Sequence, residues 1–181
     1  MRVTVFGSAR VGEASAEYGA ARRLGRLLAE DGHEIVSGGY GGIMEAVSRG
    51  AHEAGGLVVG VTVAPWAQRL APNRYLSEER SAQTLFERLE ALVESDALIA
   101  LPGGAGTLGE VALAWNLRQM GLMTAKPVIL VGEGWRRMVD TFRELLIVDE
   151  RDLALLTLVG SIEEAIAALD GAAGARGTWR G

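Results

Sequence analysis

The sequence predicts a single α/β domain with a mostly parallel sheet and helices on both faces of that sheet. Short apolar runs of strand length alternate with longer segments whose apolar residues recur at helical spacing, an order typical of parallel sheets. The run over residues 57–63 is apolar along nearly its whole length, as expected of a strand covered on both faces. The chain has 181 residues, of which 49% are hydrophobic, so it is the size of one domain and can form a core.

Each element is predicted from its own pattern. The first strand, residues 3–6, ends at a glycine, and the helix over residues 15–31 has apolar residues at helical spacing before Gly32 ends it. A second strand at residues 34–36 runs into a glycine-rich loop, and two glycines close the helix over residues 43–54. Further strands are expected at residues 57–63, 97–101, 127–131 and 155–159, and further helices at 82–93, from 107 onwards, at 135–146 and at 162–169.

The remaining stretches are a connecting segment and the end of the chain. Residues 64–81 show neither the apolar run of a strand nor the apolar spacing of a helix, and they carry two prolines. An irregular segment is therefore expected there. Residues 1–170 are expected to form one Rossmann-like nucleotide-binding domain. Residues 171–181 are rich in glycine and alanine and are expected to form a disordered tail.

Composition and charge argue against several classes of protein. The chain has no cysteine, and its two histidines are not part of a metal-binding motif, so neither disulfides nor a metal site are expected. The net charge of −5 argues against nucleic-acid binding through phosphates. No apolar run reaches the roughly 18 residues of a membrane helix, and no signal peptide is apparent, so we expect a cytoplasmic protein without membrane contact. The single lysine, Lys126, precedes a proline at a strand start, which disfavours Schiff-base chemistry.

Three of the predicted strands end in glycine-rich loops. These loops are Gly7 with Ser8, residues 38–42, and residues 103–106. Ligands of parallel sheets bind at the carboxyl ends of the strands, so we expect the three loops to lie together around one site.

The loop before Thr107 carries the strongest functional signal. It reads Pro-Gly-Gly-Ala-Gly and leads into a helix, so free amides and the positive end of a helix dipole are expected to point to one place. Alternatively, Thr107 and Glu110 form a capping box, which is a purely structural feature. A cap requires none of the three glycines, each of which costs roughly 0.5–1 kcal/mol relative to alanine in regular structure. The glycines therefore favour a backbone that approaches a phosphate or another anion.

A dinucleotide site is a second interpretation of these residues. Residues 104–109 also fit GxGxxG, and Glu133 follows the next strand, where an acidic residue would bind a ribose. In dinucleotide-binding domains this motif belongs to the first βαβ unit, and its late position here counts against the interpretation.

Two segments resemble a known family. Residues 102–110, PGGAGTLGE, resemble the PGGxGTxxE motif of the LOG (Lonely Guy) family, long misannotated as lysine decarboxylases. Residues 38–44, GGYGGIM, are similar to the second glycine loop of that family. The resemblance implies a Rossmann-like, usually dimeric enzyme that hydrolyses cytokinin riboside 5′-monophosphates to the free base and ribose 5-phosphate. No cofactor is expected.

The resemblance also implies roles for individual residues. Glu110 would be the catalytic carboxylate near the anomeric carbon, and Arg88 its catalytic partner. The phosphate and nucleotide would be bound by Gly103, Gly104, Gly106, Thr107, Gly7, Ser8, Gly39, Gly41 and Gly42. A homodimer is expected, with its contact near Trp115, Leu117, Leu122 and Met123.

The chain departs from the family pattern at three points, one of which is Glu45, where the other glycine loop usually has another glycine. The family has an Arg-Lys pair one helix before the motif, and Glu87-Arg88 stand there instead, so the arginine is displaced by about 100° around a helix. Arg80 and Arg74 are alternatives to Arg88 as the cation of the site. Gly109 stands where the family often has a second acidic residue.

Two functions stay open on this sequence. One is a phosphoribohydrolase acting on a nucleoside 5′-monophosphate. The other is a protein that binds or carries a nucleotide or a phosphorylated cofactor without turnover, since molybdenum-cofactor carriers also resemble this family. Candidates for lining the slot of the base are Trp66, Tyr75 and Tyr40.

Overall fold

The computed structural model describes residues 1–177, with side chains for residues 1–172, and it confirms the predicted α/β fold class. Seven strands form one sheet in the order β4-β3-β2-β1-β5-β6-β7, and all six pairings are parallel. The strands are β1 (Arg2–Phe6), β2 (Glu34–Ser37), β3 (Val58–Val63), β4 (Glu78–Ala82), β5 (Ala97–Ala100), β6 (Val128–Val131) and β7 (Thr157–Val159).

Helices cover both faces of the sheet. They are α1 (Ala16–Glu30), α2 (Ile43–Glu53), α3 (Leu85–Val93), α4 (Ala105–Gln119), α5 (Glu133–Leu145), α6 (Glu150–Leu153) and α7 (Ile162–Gly177), with a short 3-10 helix at Ala64–Trp66. Successive strand residues point to opposite faces, so Val5 packs in the core under α1, α2 and α7, whereas Phe6 packs in the core under α3, α4 and α5. Among the described residues, no helix is long and apolar enough to cross a membrane.

The strand order reverses between β1 and β5. From β1 the chain moves outwards through β2, β3 and β4, and it then returns to place β5 on the other side of β1. Thr4 of β1 is accordingly paired with Val36 on one side and with Leu98 on the other. The loops that follow β1 and β5 turn to opposite faces of the sheet, which opens a crevice between them at the carboxyl ends of the strands.

The prediction that residues 64–81 are irregular was wrong for its last part. Residues 78–82 form β4, which pairs only with β3 and therefore lies at the edge of the sheet. Its sequence, EERSA, is largely exposed and lacks the apolar run expected of a buried strand. Charged side chains are typical of edge strands because they discourage pairing with another chain.

Two predicted boundaries also differ from the structure. α4 begins at Ala105 with Gly104 as its N-cap, two residues before the start predicted at Thr107. Thr107 is the third residue of the helix, which excludes the alternative of a capping box at Thr107 and Glu110. α7 runs from Ile162 to Gly177 and is longer than the helix predicted over residues 162–169, while residues 178–181 of the tail expected at 171–181 lie outside the described residues.

Candidate functional site

A cleft of about 540 Å³ lies at the carboxyl ends of the strands, at the point where the strand order reverses. It is formed by the loop after β1, the glycine loop after β2, the segment around the 3-10 helix, one residue of α3 and the first two turns of α4. Hollows of similar volume between α1 and α7 and at the amino ends of the strands hold ion pairs that are open to solvent. The cleft holds a buried pair, which makes it the candidate site.

Arg88 enters the cleft from α3. It lies four residues before the buried Leu92, so helical spacing places both side chains on the face that packs against the sheet. Its Nε donates to the carbonyl of Val61 at 2.9 Å and its Nη2 to the carbonyl of Gly38 at 3.4 Å. Its Nη1 lies 3.4 Å from Oε1 of Glu110. All three guanidinium nitrogens are therefore engaged by the protein.

Two aromatic rings flank the Arg88 guanidinium. Its central carbon lies 5.9 Å from the ring centroid of Tyr40 and 5.9 Å from that of Trp66. The Tyr40 hydroxyl accepts from the backbone N–H of Val63 at 2.9 Å, which fixes the ring against β3. Trp66 is 38% exposed and packs at 5.7 Å from Tyr40, so one part of its indole faces the cleft.

Glu110 lies in the second turn of α4, opposite Arg88. Its side chain is only 12% exposed. Burial raises the pKa of Glu110 to about 7, and the nearby Arg88 charge offsets part of this effect. At neutral pH the carboxyl group therefore exists in both protonation states, as is typical of groups that transfer protons or stabilise transient charge.

The amino end of α4 is open toward the cleft. Gly104 provides no side-chain cap, so the amides of Ala105, Gly106 and Thr107 have no helical acceptor. A Cβ atom added at Gly104 or Gly106 would meet nothing within 4 Å, and neither residue has a positive φ. Packing and backbone conformation therefore do not require these two glycines, which leaves room beside the amides for a ligand.

The structure brings eight of the predicted site residues to the cleft. They are Glu110, Arg88, Gly104, Gly106, Thr107, Gly7, Ser8 and Gly41. Gly39, Gly42 and Gly103, which were predicted to bind the nucleotide, lie behind the lining and shape the loops. Gly39 and Gly42 have positive φ values of 79° and 68°, and a Cβ at Gly103 would collide with the side chain of Thr107.

Several other candidates lie elsewhere. Arg80 is paired with Glu78 on the exposed edge strand, and Arg74 donates to the hydroxyl of Tyr75 at 2.9 Å, away from the cleft. Tyr75 therefore packs among charged side chains and does not line the slot proposed for a base. Glu133 is 73% exposed outside the cleft, so the dinucleotide interpretation loses its ribose-binding carboxylate.

Sequence reasoning missed some of the lining. Phe6, Ala9, Arg10, Met44 and Leu70 also face the cleft. A usable signal existed for Arg10, because it lies three residues after Gly7 in a loop already predicted to reach the site. Met44 ends the segment that resembles the second glycine loop of the family, but it was given no role there. No local pattern marks Leu70, whose position depends on how the segment around the 3-10 helix packs.

Lys126 has a structural role. It is buried, and its Nζ donates to the carbonyls of Val93 and Ser95, both at 2.6 Å. The lysine thus donates hydrogen bonds to backbone carbonyls at and just after the carboxyl end of α3, and it does not reach the cleft. Within the described part of the chain, no three acidic or histidine side chains are grouped so that they could hold a metal ion.

Comparison with known proteins places these features in context. A family model described as "Possible lysine decarboxylase" matches residues 44–169. The chain is similar to an uncharacterized protein of Archaeoglobus fulgidus, with 35% identity over 73% of this chain and 85% of the relative. It is 42% identical to a probable cytokinin riboside 5′-monophosphate phosphoribohydrolase of Oryza sativa subsp. japonica, over 61% of this chain and 46% of the relative. It is 32% identical to the phosphoribohydrolase LOG2 of Arabidopsis thaliana, over 81% of this chain and 66% of the relative.

Two solved structures are similar to nearly the whole chain. The molybdenum cofactor binding protein from Rippkaea orientalis has a TM-score of 0.76 and 26% identity, covering 94% of this chain and 95% of that protein. The molybdenum cofactor carrier protein from Chlamydomonas reinhardtii has a TM-score of 0.73 and 26% identity, covering 96% of this chain and 98% of that protein. The two plant relatives are longer proteins, of which the matches span about half to two thirds.

Proposed function

Because this chain belongs to the LOG-type family, whose model is described as "Possible lysine decarboxylase", we propose that it is a phosphoribohydrolase. The substrate is a nucleoside 5′-monophosphate of the cytokinin riboside type, and the products are the free base and ribose 5-phosphate. The observation that carries this proposal is the buried pair of Arg88 and Glu110 one turn away from the open amino end of α4.

The amino end of α4 is suited to the phosphate group. Free amides and the positive end of a helix dipole stabilise an anion, and Gly104 and Gly106 leave space for it. Glu110 lies three residues after Thr107, so it is roughly 4.5 Å further along the helix axis. A ribose whose 5′-phosphate binds at the amides would extend along α4 toward this carboxylate.

The chemistry follows from the charge that develops on the sugar. Cleavage of the bond between C1′ and the base nitrogen leaves positive, oxocarbenium-like charge on the ribose, which a buried carboxylate stabilises. The bonding electron pair leaves with the base, a water molecule adds its oxygen to C1′, and one proton of that water passes, by way of Glu110 and solvent, to the base nitrogen. In its ionised form, Glu110 would stabilise this charge and accept a proton from the water. Arg88 holds the carboxylate in position.

Lysine decarboxylation is not supported, despite the description of the family model. A pyridoxal-dependent decarboxylase needs a lysine that forms a Schiff base. The only lysine of this chain is Lys126, which is buried and bonded to two backbone carbonyls outside the cleft.

A direct test is to incubate the protein with AMP and with a cytokinin riboside 5′-monophosphate and to measure the free base. We expect base release by the wild type and a loss of at least about 100-fold in Glu110→Gln, the scale of removing one preorganised charged group. Glu133→Gln is the matched control because its carboxylate is exposed outside the cleft. Absence of base release from every monophosphate tested, with a folded protein, would contradict the proposal.

A second candidate function is carriage of a phosphorylated cofactor. It is favoured by the likeness to the two molybdenum cofactor proteins, which extends over at least 94% of this chain. The same open amides of α4 would then hold the cofactor phosphate, and Glu110 would have no catalytic task. Tight binding of molybdenum cofactor without release of base from any nucleotide would favour this function over the hydrolase.

A homodimer is part of the proposal. Exposed apolar side chains are concentrated at the carboxyl ends of α4 and α5, which Trp115 and Phe142 join by ring stacking at 6.1 Å. The exposed members are Met120, Leu122, Leu145, Leu146 and Ile147. A patch of this kind supports association with another copy of the chain. The cytoplasmic location stays a prediction from the sequence.

A further inference from the structure

The cleft contains two arginines that differ in how their charge is used. Arg88 is 5% exposed, and its guanidinium is bonded to Val61, Gly38 and Glu110. Arg10 is exposed at the cleft, and it forms no ion pair among the side chains that the structure describes. Its charge is therefore available to a ligand, whereas the charge of Arg88 is already opposed by a carboxylate.

The backbone of Arg10 is held close to the amino end of α4. Its N–H donates to Oγ of Ser8 at 3.1 Å, and the Ser8 N–H donates to the carbonyl of Pro102 at 3.2 Å. The Ser8 carbonyl in turn accepts from the N–H of Ile43 at 2.9 Å, which ties the loop to α2. The loop is fixed on two sides, so only the side chain of Arg10 has to move to meet a ligand.

A phosphate in this cleft needs a full positive charge. The amino end of a helix contributes the equivalent of about half an elementary charge, whereas a phosphate monoester carries nearly two at neutral pH. An ionised Glu110 cancels the charge of Arg88, so this pair adds no net positive charge to the cleft, and the whole chain has a net charge of −5. Of the two arginines that line the cleft, Arg10 is the one whose guanidinium has no ion-pair partner among the residues that the structure describes.

We propose that Arg10 binds the phosphate group and sets the preference of the cleft for phosphorylated ribosides over nucleosides. Its planar guanidinium can donate two parallel hydrogen bonds to phosphate oxygens, opposite the amides of Ala105, Gly106 and Thr107. The assignment rests on the proposed function only in that the ligand is a phosphorylated ribose.

The experiment compares Arg10→Gln and Arg10→Lys with the wild type, using AMP and adenosine as probes. Affinities are measured by calorimetry, and base release is measured in parallel. We expect Arg10→Gln to weaken AMP binding and to raise KM about tenfold or more, with little change in kcat, because a charged hydrogen bond is lost far from the reacting atoms. Arg10→Lys should restore part of the affinity. Arg137→Gln, which removes an equally unpaired and exposed charge from α5, should behave as the wild type.

The possible outcomes distinguish failure of the role assigned to Arg10 from failure of the proposed hydrolase function. Unchanged AMP affinity in Arg10→Gln, or an equal loss for AMP and adenosine, would overturn the role of Arg10 while leaving any hydrolysis intact. If the wild type binds AMP but releases no base, the hydrolase fails, and a selective loss of AMP affinity in Arg10→Gln would still support the role of Arg10. If the wild type binds no AMP, the assignment is wrong.

Discussion

The Nη1 atom of Arg88 lies 3.4 Å from Oε1 of Glu110, and the two side chains are only 6% and 12% exposed. An opposite charge so close ordinarily lowers the pKa of a carboxyl group, but here burial has the larger effect, and the pKa of Glu110 rises to about 7. The pair is thus weak evidence for stability, because desolvation of both groups offsets their attraction. The pair is better understood as an arrangement that keeps the pKa of the Glu110 carboxyl group near neutral pH.

The pH dependence of base release tests this state of Glu110. The ionised carboxylate is the form that stabilises the oxocarbenium charge, so activity should rise with pH and level off above about 7. Below that pH, kcat should fall about tenfold per unit, measured at saturating AMP so that ionisation of the free phosphate has little influence. A kcat that is constant from about pH 5.5 to 8 would show that Glu110 does not act in its ionised form.

Replacing Arg88 should shift this profile in a known direction. Arg88 lowers the pKa of Glu110, so Arg88→Gln should raise that pKa further and move the activity midpoint to higher pH. The carboxyl resonance of Glu110, followed by NMR across a pH titration, reports the shift without requiring activity. Arg80→Gln is the control, because Arg80 is paired with Glu78 on the exposed edge strand. A midpoint that stays in place or moves to lower pH would contradict the electrostatic role of Arg88.

Substitutions at two glycines of the loop after β5 should have different effects, one on ligand affinity and the other on the stability of the fold. Gly106→Ala places a Cβ in open space within the first turn of α4, so the protein should be as stable as the wild type or more stable by about 0.5–1 kcal/mol. Its AMP affinity should nevertheless fall, because the added methyl group would occupy the space proposed for the phosphate. Gly103→Ala would collide with Thr107 and should lower the free energy of unfolding by about 1–3 kcal/mol. Urea unfolding and calorimetry provide the two measurements, and unchanged AMP affinity in Gly106→Ala would contradict the phosphate site.

Much of the fold could be predicted because its signals are local. Apolar runs and helical spacing identify six of the seven strands and most of the helices. β4 was missed because an edge strand buries little, so its charged sequence carries no apolar pattern. The predicted start of α4 was two residues too late because Thr107 and Glu110 match the sequence pattern of a cap. The N-cap in the structure is Gly104, which has no capping side chain.

The site was less predictable because it depends on contacts between distant elements. The position of Arg88 relative to Leu92 shows which face of α3 it occupies, but only the packing of α3 against α4 shows that it meets Glu110. The same holds for Arg10, whose loop reaches the site through a hydrogen bond between Ser8 and Pro102. Such relationships arise from the strand order, which no short stretch of sequence specifies.

The exposed apolar patch at the ends of α4 and α5 predicts association in solution. We expect light scattering to give a mass about twice the 19.1 kDa of one chain, because Leu122, Leu145 and Ile147 are largely or fully exposed in one copy. Leu145→Glu with Ile147→Glu should produce a folded monomer, since burying two carboxylates in an apolar contact is costly. The control is Leu57→Glu, an exposed apolar residue just before β3. A wild type that is monomeric at all concentrations would exclude the dimer.

Stability at acid pH should depend on His33, at the amino ends of the strands. Its Nδ1 lies 3.5 Å from the amino group of Met1, and its Nε2 is buried without a hydrogen bond among the described residues. Burial, and then the positive charge of the amino terminus, lower the pKa of His33 below its ordinary 6.5. The unfolded chain therefore takes up a proton at higher pH than the folded protein does. The free energy of unfolding should fall as pH drops below about 6.5 and continue to fall until the folded protein is protonated as well.

A pair of histidine variants tests this dependence. Replacing His33 with glutamine removes the titrating group, so the difference in unfolding free energy between pH 7.5 and 5.5 should be smaller in His33→Gln than in the wild type, as measured by urea titration. His52→Gln should retain the wild-type difference, because His52 is exposed on α2 and its ring packs against Tyr75 and not against His33. The slope of unfolding free energy against urea should be the same in all three proteins. If His33→Gln loses as much stability between these two pH values as the wild type does, the acid sensitivity must come from the carboxylates, and the buried imidazole would have no part in it.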